Sequence, residues 1–118
     1  MLTVLRYVES NPLRAGMVKD LAAYPWSSYM RHGLGKEIAL VDESPVWNEL
    51  GKSEAQRLRH WRRWLHTPLT EKELTAVRRS VTTGRPFGAD KWIEAMVRRL
   101  GMNMTPRPRG RPKKVANK

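Results

Sequence analysis

The sequence contains no cysteine, which removes a disulfide framework, a thiolate metal site and a cysteine nucleophile in one step. No run of about 18 apolar residues occurs, so no transmembrane helix is expected. The first 20 residues lack the apolar stretch and small-residue cleavage site of a secretory signal. A reducing, cytoplasmic setting fits these absences, and a nucleoid-associated one follows if the partner is DNA. Acid is scarce as well, with 11 Asp and Glu against 23 Lys and Arg in 118 residues, a formal net charge of +12. Forty per cent hydrophobic residues is too many for a wholly disordered chain. The length fits one small domain and not two.

The positive charge is unevenly placed. Residues 1–52 carry six basic and six acidic side chains, 53–104 carry eleven and five, and 105–118 carry six and none. A gradient of this kind points to a surface that meets phosphates, hence to nucleic acid as partner. The competing reading is a solvated basic face with no partner.

Periodicity predicts a mostly α-helical chain of short helices punctuated by Pro and Gly. Met1, Val4, Leu5 and Val8 share one face of a first helix, with Tyr7 at its edge. Asn11-Pro12 is expected to break that helix, because a residue before proline is pushed out of the helical region. A short turn then ends at Gly16. Ile38–Val41 is a brief apolar run with an extended reading, and Ser44-Pro45 opens a helix closing at Gly51. Ser53 with Gln56, and Thr70 with Glu73, have the spacing of capping boxes that open two longer helices. The first has Ala55, Leu58, Trp61, Trp64 and Leu65 on its apolar side and Arg59, His60, Arg63 and His66 opposite. The second runs through Leu74, Val77 and Val81 to Gly84. A last helix from Ala89 or Asp90 carries Trp92, Ile93, Met96, Val97 and Leu100 inward and stops at Gly101. This divides the chain into 1–52, a helical region 53–104 and a disordered basic tail 105–118, with the more stable packing expected in 53–104. The first helix has no preceding strand, so the sequence reads as beginning in mid-domain.

The tail spells Pro106-Arg107-Pro108-Arg109-Gly110-Arg111-Pro112-Lys113-Lys114. Its Arg-Gly-Arg-Pro core is an AT-hook pattern. Prolines keep the segment extended, Gly110 permits close approach, and Arg109 and Arg111 then enter the narrow, negative minor groove of A·T-rich DNA. The plainer reading is a basic tail touching phosphates without preference. Arg59 and Arg63 supply a second candidate DNA surface. His32, His60 and His66 form no His-x-His or His-x-x-x-His pair, so no metal site is expected. Gly84-Arg85-Pro86-Phe87-Gly88 lacks the Lys-Ser/Thr of a phosphate loop and reads as a tight turn with Phe87 in the core. Tryptophans 61, 64 and 92 read as core. From periodicity alone Tyr7 is an amphipathic filler.

Tyr7-Val8-Glu9-Ser10-Asn11-Pro12-Leu13-Arg14-Ala15-Gly16-Met17-Val18, followed by Tyr24-Pro25-Trp26-Ser27-Ser28-Tyr29, resembles consecutive motifs of the REP-associated tyrosine transposases. Thr83-Gly84-Arg85-Pro86-Phe87-Gly88 and the basic tail are similar to that family's closing motifs, in the same order. The resemblance implies that Tyr7 attacks a DNA phosphodiester, forms a phosphotyrosine bond and leaves a free 3′-hydroxyl. It implies single-stranded or hairpin repeat DNA as partner, and transposition of a bacterial mobile element as the process. It also implies an α+β, ferredoxin-like catalytic domain whose His-hydrophobic-His pair holds a divalent metal, magnesium or manganese. This chain has no such pair, so it resembles the C-terminal portion of such an enzyme, inactive alone. The alternative is a non-catalytic, AT-hook-like nucleic-acid-binding protein.

Overall fold

The computed structural model describes residues 1–103 and Gly110. The expected disordered tail, and the site assignments at Arg107, Arg109, Arg111, Pro112, Lys113 and Lys114, lie outside the described residues. Those described are mostly helical and contain no strand. The order is α1 (Leu2–Arg14), a 3-10 turn (Leu21–Ala23), α2 (Tyr29–His32), α3 (Pro45–Asn48), α4 (Glu54–His66), α5 (Glu71–Thr83) and α6 (Asp90–Leu100). None of these helices is long and apolar enough to cross a membrane. Two compact units, Met1–Val77 and Arg78–Lys118, divide the chain.

In the first unit, α1 does not stop before Pro12 but runs through it to Arg14. Proline there forfeits one i→i−4 hydrogen bond, but Pro12 is itself buried and Leu13 packs against the core. Tertiary burial thus outweighs the local preference of Asn11. The helix ends in a Schellman arrangement: Met17 N–H donates to Pro12 O at 2.9 Å, Gly16 N–H to Leu13 O at 3.1 Å, and Gly16 has φ +70°.

The inward face of α1 is also rotated from the expected one. Met1 is 77% exposed and Val8 58%, whereas Arg6, Glu9 and Pro12 are buried. Leu2, Leu5 and Leu13 flank them against a core of Leu21, Tyr29, Trp47, Trp61 and Leu65. That core draws on both sides of residue 52. The Ile38–Val41 run is a turn, closed by Val41 N–H to Ile38 O at 3.0 Å, with Leu40 exposed.

Both helices receive their N-cap bond, but only the second forms a complete capping box. Gln56 N–H donates to Ser53 Oγ at 3.3 Å, while the Gln56 side chain accepts from Lys52 N–H at 3.0 Å, one residue earlier than the usual reciprocal bond. At α5 the box is fully reciprocal: Thr70 N–H donates to Glu73 Oε2 at 2.8 Å and Glu73 N–H to Thr70 Oγ1 at 3.2 Å.

In the second unit, α6 ends at Gly101, whose φ of +59° lets Met102 N–H reach Val97 O at 3.0 Å. No residue of α6 is fully buried, and Trp92 is 49% exposed. Trp92 is therefore not a core residue as its periodicity predicts. Its ring lies over Gly88, where a Cβ would collide with it. Phe87 is half-buried.

Candidate nucleic-acid interface

Helix α1 places Tyr7, Ser10 and Arg14 at i, i+3 and i+7, along one stripe. Tyr7 is half-buried and Arg14 exposed. The Arg14 guanidinium lies 4.2 Å from the centre of the Tyr7 ring, a cation–π contact, and donates to Asn11 Oδ1 at 2.9 Å. Arginine carries five N–H donors, so this bond leaves most of the fork for other acceptors.

One residue before the tyrosine, Arg6 turns inward and is 3% exposed. Its Nη2 donates to Thr67 O at 2.5 Å and Pro68 O at 3.0 Å, just past the end of α4. The guanidinium stacks over Trp64 at 5.0 Å and pairs with Glu73 at 3.6 Å. Arg6 fastens the tyrosine helix to the α4–α5 connection and is not available to a ligand.

The sequence reading missed Glu9. It is fully buried and accepts three hydrogen bonds, from Ser28 Oγ at 2.5 Å, His32 Nδ1 at 2.6 Å and Trp61 Nε1 at 2.7 Å. A carboxylate only accepts, so His32 carries its proton on Nδ1. The His32 ring sits against Trp47 at 5.4 Å and Trp61 at 6.3 Å. Glu9 belongs to the first motif segment and Ser28 to the second, so this cluster joins the two stretches that carry the family resemblance. The one available signal was positional: Glu9 lies midway between Leu5 and Leu13, four residues from each, on the stripe those leucines bury.

The same cluster uses His32 structurally. Among the described residues no group of three or more His, Asp or Glu side chains could hold a metal ion.

Arg59 and Arg63 are exposed on α4, together with Arg62. At the start of the same helix, Glu54 is held with Glu43 by Arg31. Arg31 is thereby drawn into an acidic clamp, while the middle of α4 stays cationic. Gly110 has φ +112°, a backbone region that favours glycine.

Beside the Tyr7 stripe is a groove of about 270 Å³ between the end of α1 and the α4–α5 connection. Leu13, Leu65, Pro68 and Leu74 form its apolar lining, with Ser10, Arg14 and His66 among its polar groups. No carboxylate lines it. Trp26, in contrast, stands 83% exposed in the loop before α2.

No protein-family model, curated protein or solved structure matches the chain.

Proposed function

We propose that the chain is the DNA-binding C-terminal part of a tyrosine transposase that cleaves and rejoins single-stranded DNA at repeat sequences. The observation that carries this reading is the placement of Tyr7 on the accessible flank of α1 with the Arg14 guanidinium against its ring. A tyrosine hydroxyl is a poor nucleophile at its ordinary pKa and needs an activated phosphate in front of it. Arg14 supplies a cation able to hold phosphate oxygens by charge-assisted hydrogen bonds. In the reaction, the Tyr7 oxygen bonds to phosphorus and the bond to the 3′ oxygen breaks, leaving a free 3′-hydroxyl. The ferredoxin-like domain implied by the resemblance would supply the metal ligands. Further support comes from the four motif segments standing in family order and from Glu9–Ser28, which packs two of them together.

The alternative is a non-catalytic, AT-hook-like nucleic-acid-binding protein. The six-to-nothing charge of residues 105–118 and the conformation of Gly110 favour it.

The two readings separate when the chain is joined to a domain bearing a His-hydrophobic-His pair. Incubated with single-stranded repeat DNA and magnesium or manganese, the joined protein should form a denaturation-resistant covalent adduct. Tyr7→Phe should abolish the adduct and leave binding nearly intact. The chain alone should form none. An adduct that survives Tyr7→Phe assigns the nucleophile elsewhere, and no adduct from the joined protein leaves the binding-protein reading standing.

A further inference from the structure

We propose that the groove beside Tyr7 is a nucleotide subsite: it takes one unpaired base of single-stranded DNA on its leucine lining and that nucleotide's phosphate on Arg14 and His66. The inference rests on the DNA reading above and adds to it where, and in what form, the strand is held. Three features of the groove argue for this occupant.

The first is its chemistry. The lining pairs an apolar surface from Leu13, Leu65 and Leu74 with a few convergent polar groups, the usual anatomy of a small-ligand site. A nucleobase has an apolar face and a polar edge, which this arrangement matches. The second is charge. The ionisable groups lining the groove are Arg14 and His66, with no carboxylate among them, and Glu73, next to lining Leu74, is paired with Arg6. Arg63 lies on the last turn of the same helix as His66 and its carbonyl accepts from Thr67, another lining residue. The third is size. About 270 Å³ is at the lower end of small-molecule sites, roughly 300 Å³. This suits a single nucleotide better than a duplex. Bases paired in a duplex cannot enter, so the site selects unpaired strands.

Arg14 links the groove to the tyrosine, since it both lines the groove and stacks on Tyr7. A nucleotide held there sets its phosphate on the Tyr7 side of α1.

The test compares labelled oligothymidylate with a duplex of equal phosphate number, binding the full chain at one salt concentration. Arg14→Ala changes an exposed side chain. Leu69→Trp fills the groove from its half-buried lining. Arg14→Ala should weaken oligothymidylate binding about tenfold, the size of one lost charge-assisted contact, Leu69→Trp should weaken it by blocking the groove, and both should change duplex binding less than twofold. Because Leu69→Trp can disturb folding, a second measurement uses the unaltered chain. Titrating thymidine 5′-monophosphate should shift the amide resonances of Ser10, Arg14, His66 and Thr67 together. Equal losses on both DNAs, or unchanged oligothymidylate binding with no clustered shifts, overturn the subsite while leaving DNA binding in place. Failure of the unaltered chain to bind either DNA overturns both.

Discussion

Removing the Glu9 carboxylate should strongly destabilise the first unit. Glu9→Ala leaves His32 Nδ1–H and Trp61 Nε1–H without an acceptor in the core, and Ser28 Oγ–H without one at its half-buried edge. A buried donor left unpaired costs about 1–3 kcal/mol, and Glu9→Ala leaves two of them in the core, so the expected loss is about 4 kcal/mol. A unit the size of Met1–Val77 has a total stability of about 4–12 kcal/mol, so the variant sits near its unfolding threshold. Glu9→Gln keeps one accepting oxygen but turns an amide N–H₂ towards a donor, and should lose about 2 kcal/mol. Urea unfolding followed by tryptophan emission measures both, since Trp61 donates directly to the carboxylate. With a slope of about 1 kcal/mol/M, Glu9→Gln should move the midpoint down by about 2 M. Glu94→Ala, at an exposed position of α6, should stay within about 0.5 kcal/mol. A Glu9→Ala loss below about 1 kcal/mol would refute the reasoning and mean the three bonds are not made in solution.

Three further outcomes are expected. The Glu73 carboxyl is held below its ordinary pKa, chiefly by the Thr70 backbone N–H and also by the Thr70 hydroxyl and Arg6. Its contribution is therefore present above the ordinary carboxylate range and lost as pH falls through the lowered value. Melting temperature between pH 6 and pH 3 should fall less steeply in Glu73→Gln than in the unaltered chain, and parallel curves would count against the cap. Gly33→Ala would drive a methyl group into the buried Tyr29 ring and should cost about 1–3 kcal/mol in urea unfolding; a neutral result would mean the ring has room to move. Deleting residues 105–118 removes six cations and should flatten the slope of log affinity against log salt by about 2–5 units. An unchanged slope would place the phosphate contacts on Arg59, Arg62 and Arg63.

Helix ends were the most legible part of the sequence, because their signals are local. Ser53 with Gln56, Thr70 with Glu73, and Gly101 each act within a turn of where they stand; Thr70 with Glu73 and Gly101 do what their spacing predicts, and Ser53 caps its helix while Gln56 bonds one residue earlier. What long-range packing decides was not legible. Pro12 reads as a helix breaker, and only burial of Pro12 and Leu13 carries α1 past it. Met1 and Val8 made an apolar stripe on paper, but the core takes the face with Arg6 and Glu9 instead. Hydrophobicity alone cannot rank a charged face first, since burial of Arg6 and Glu9 is stable only with the partners that α2, α4 and the α4–α5 connection bring. Trp92 had helical periodicity without a second surface in its own unit to bury it. The basic side of α4 was legible from the wheel, whereas the groove beside Tyr7 was not, because Leu13, Leu65 and Leu74 come from three helices.

The central claim is that this cationic chain recognises DNA and not merely negative charge. The most direct measurement is equilibrium binding at near-physiological salt to a single-stranded hairpin repeat, set against polyphosphate of equal charge. Charge alone would give both ligands the same affinity and the same salt slope. The account predicts saturable binding to the hairpin at least tenfold tighter than to polyphosphate, with the excess lost in Arg14→Ala. Equal affinity for the two polyanions, or no saturable binding to the hairpin, would contradict it.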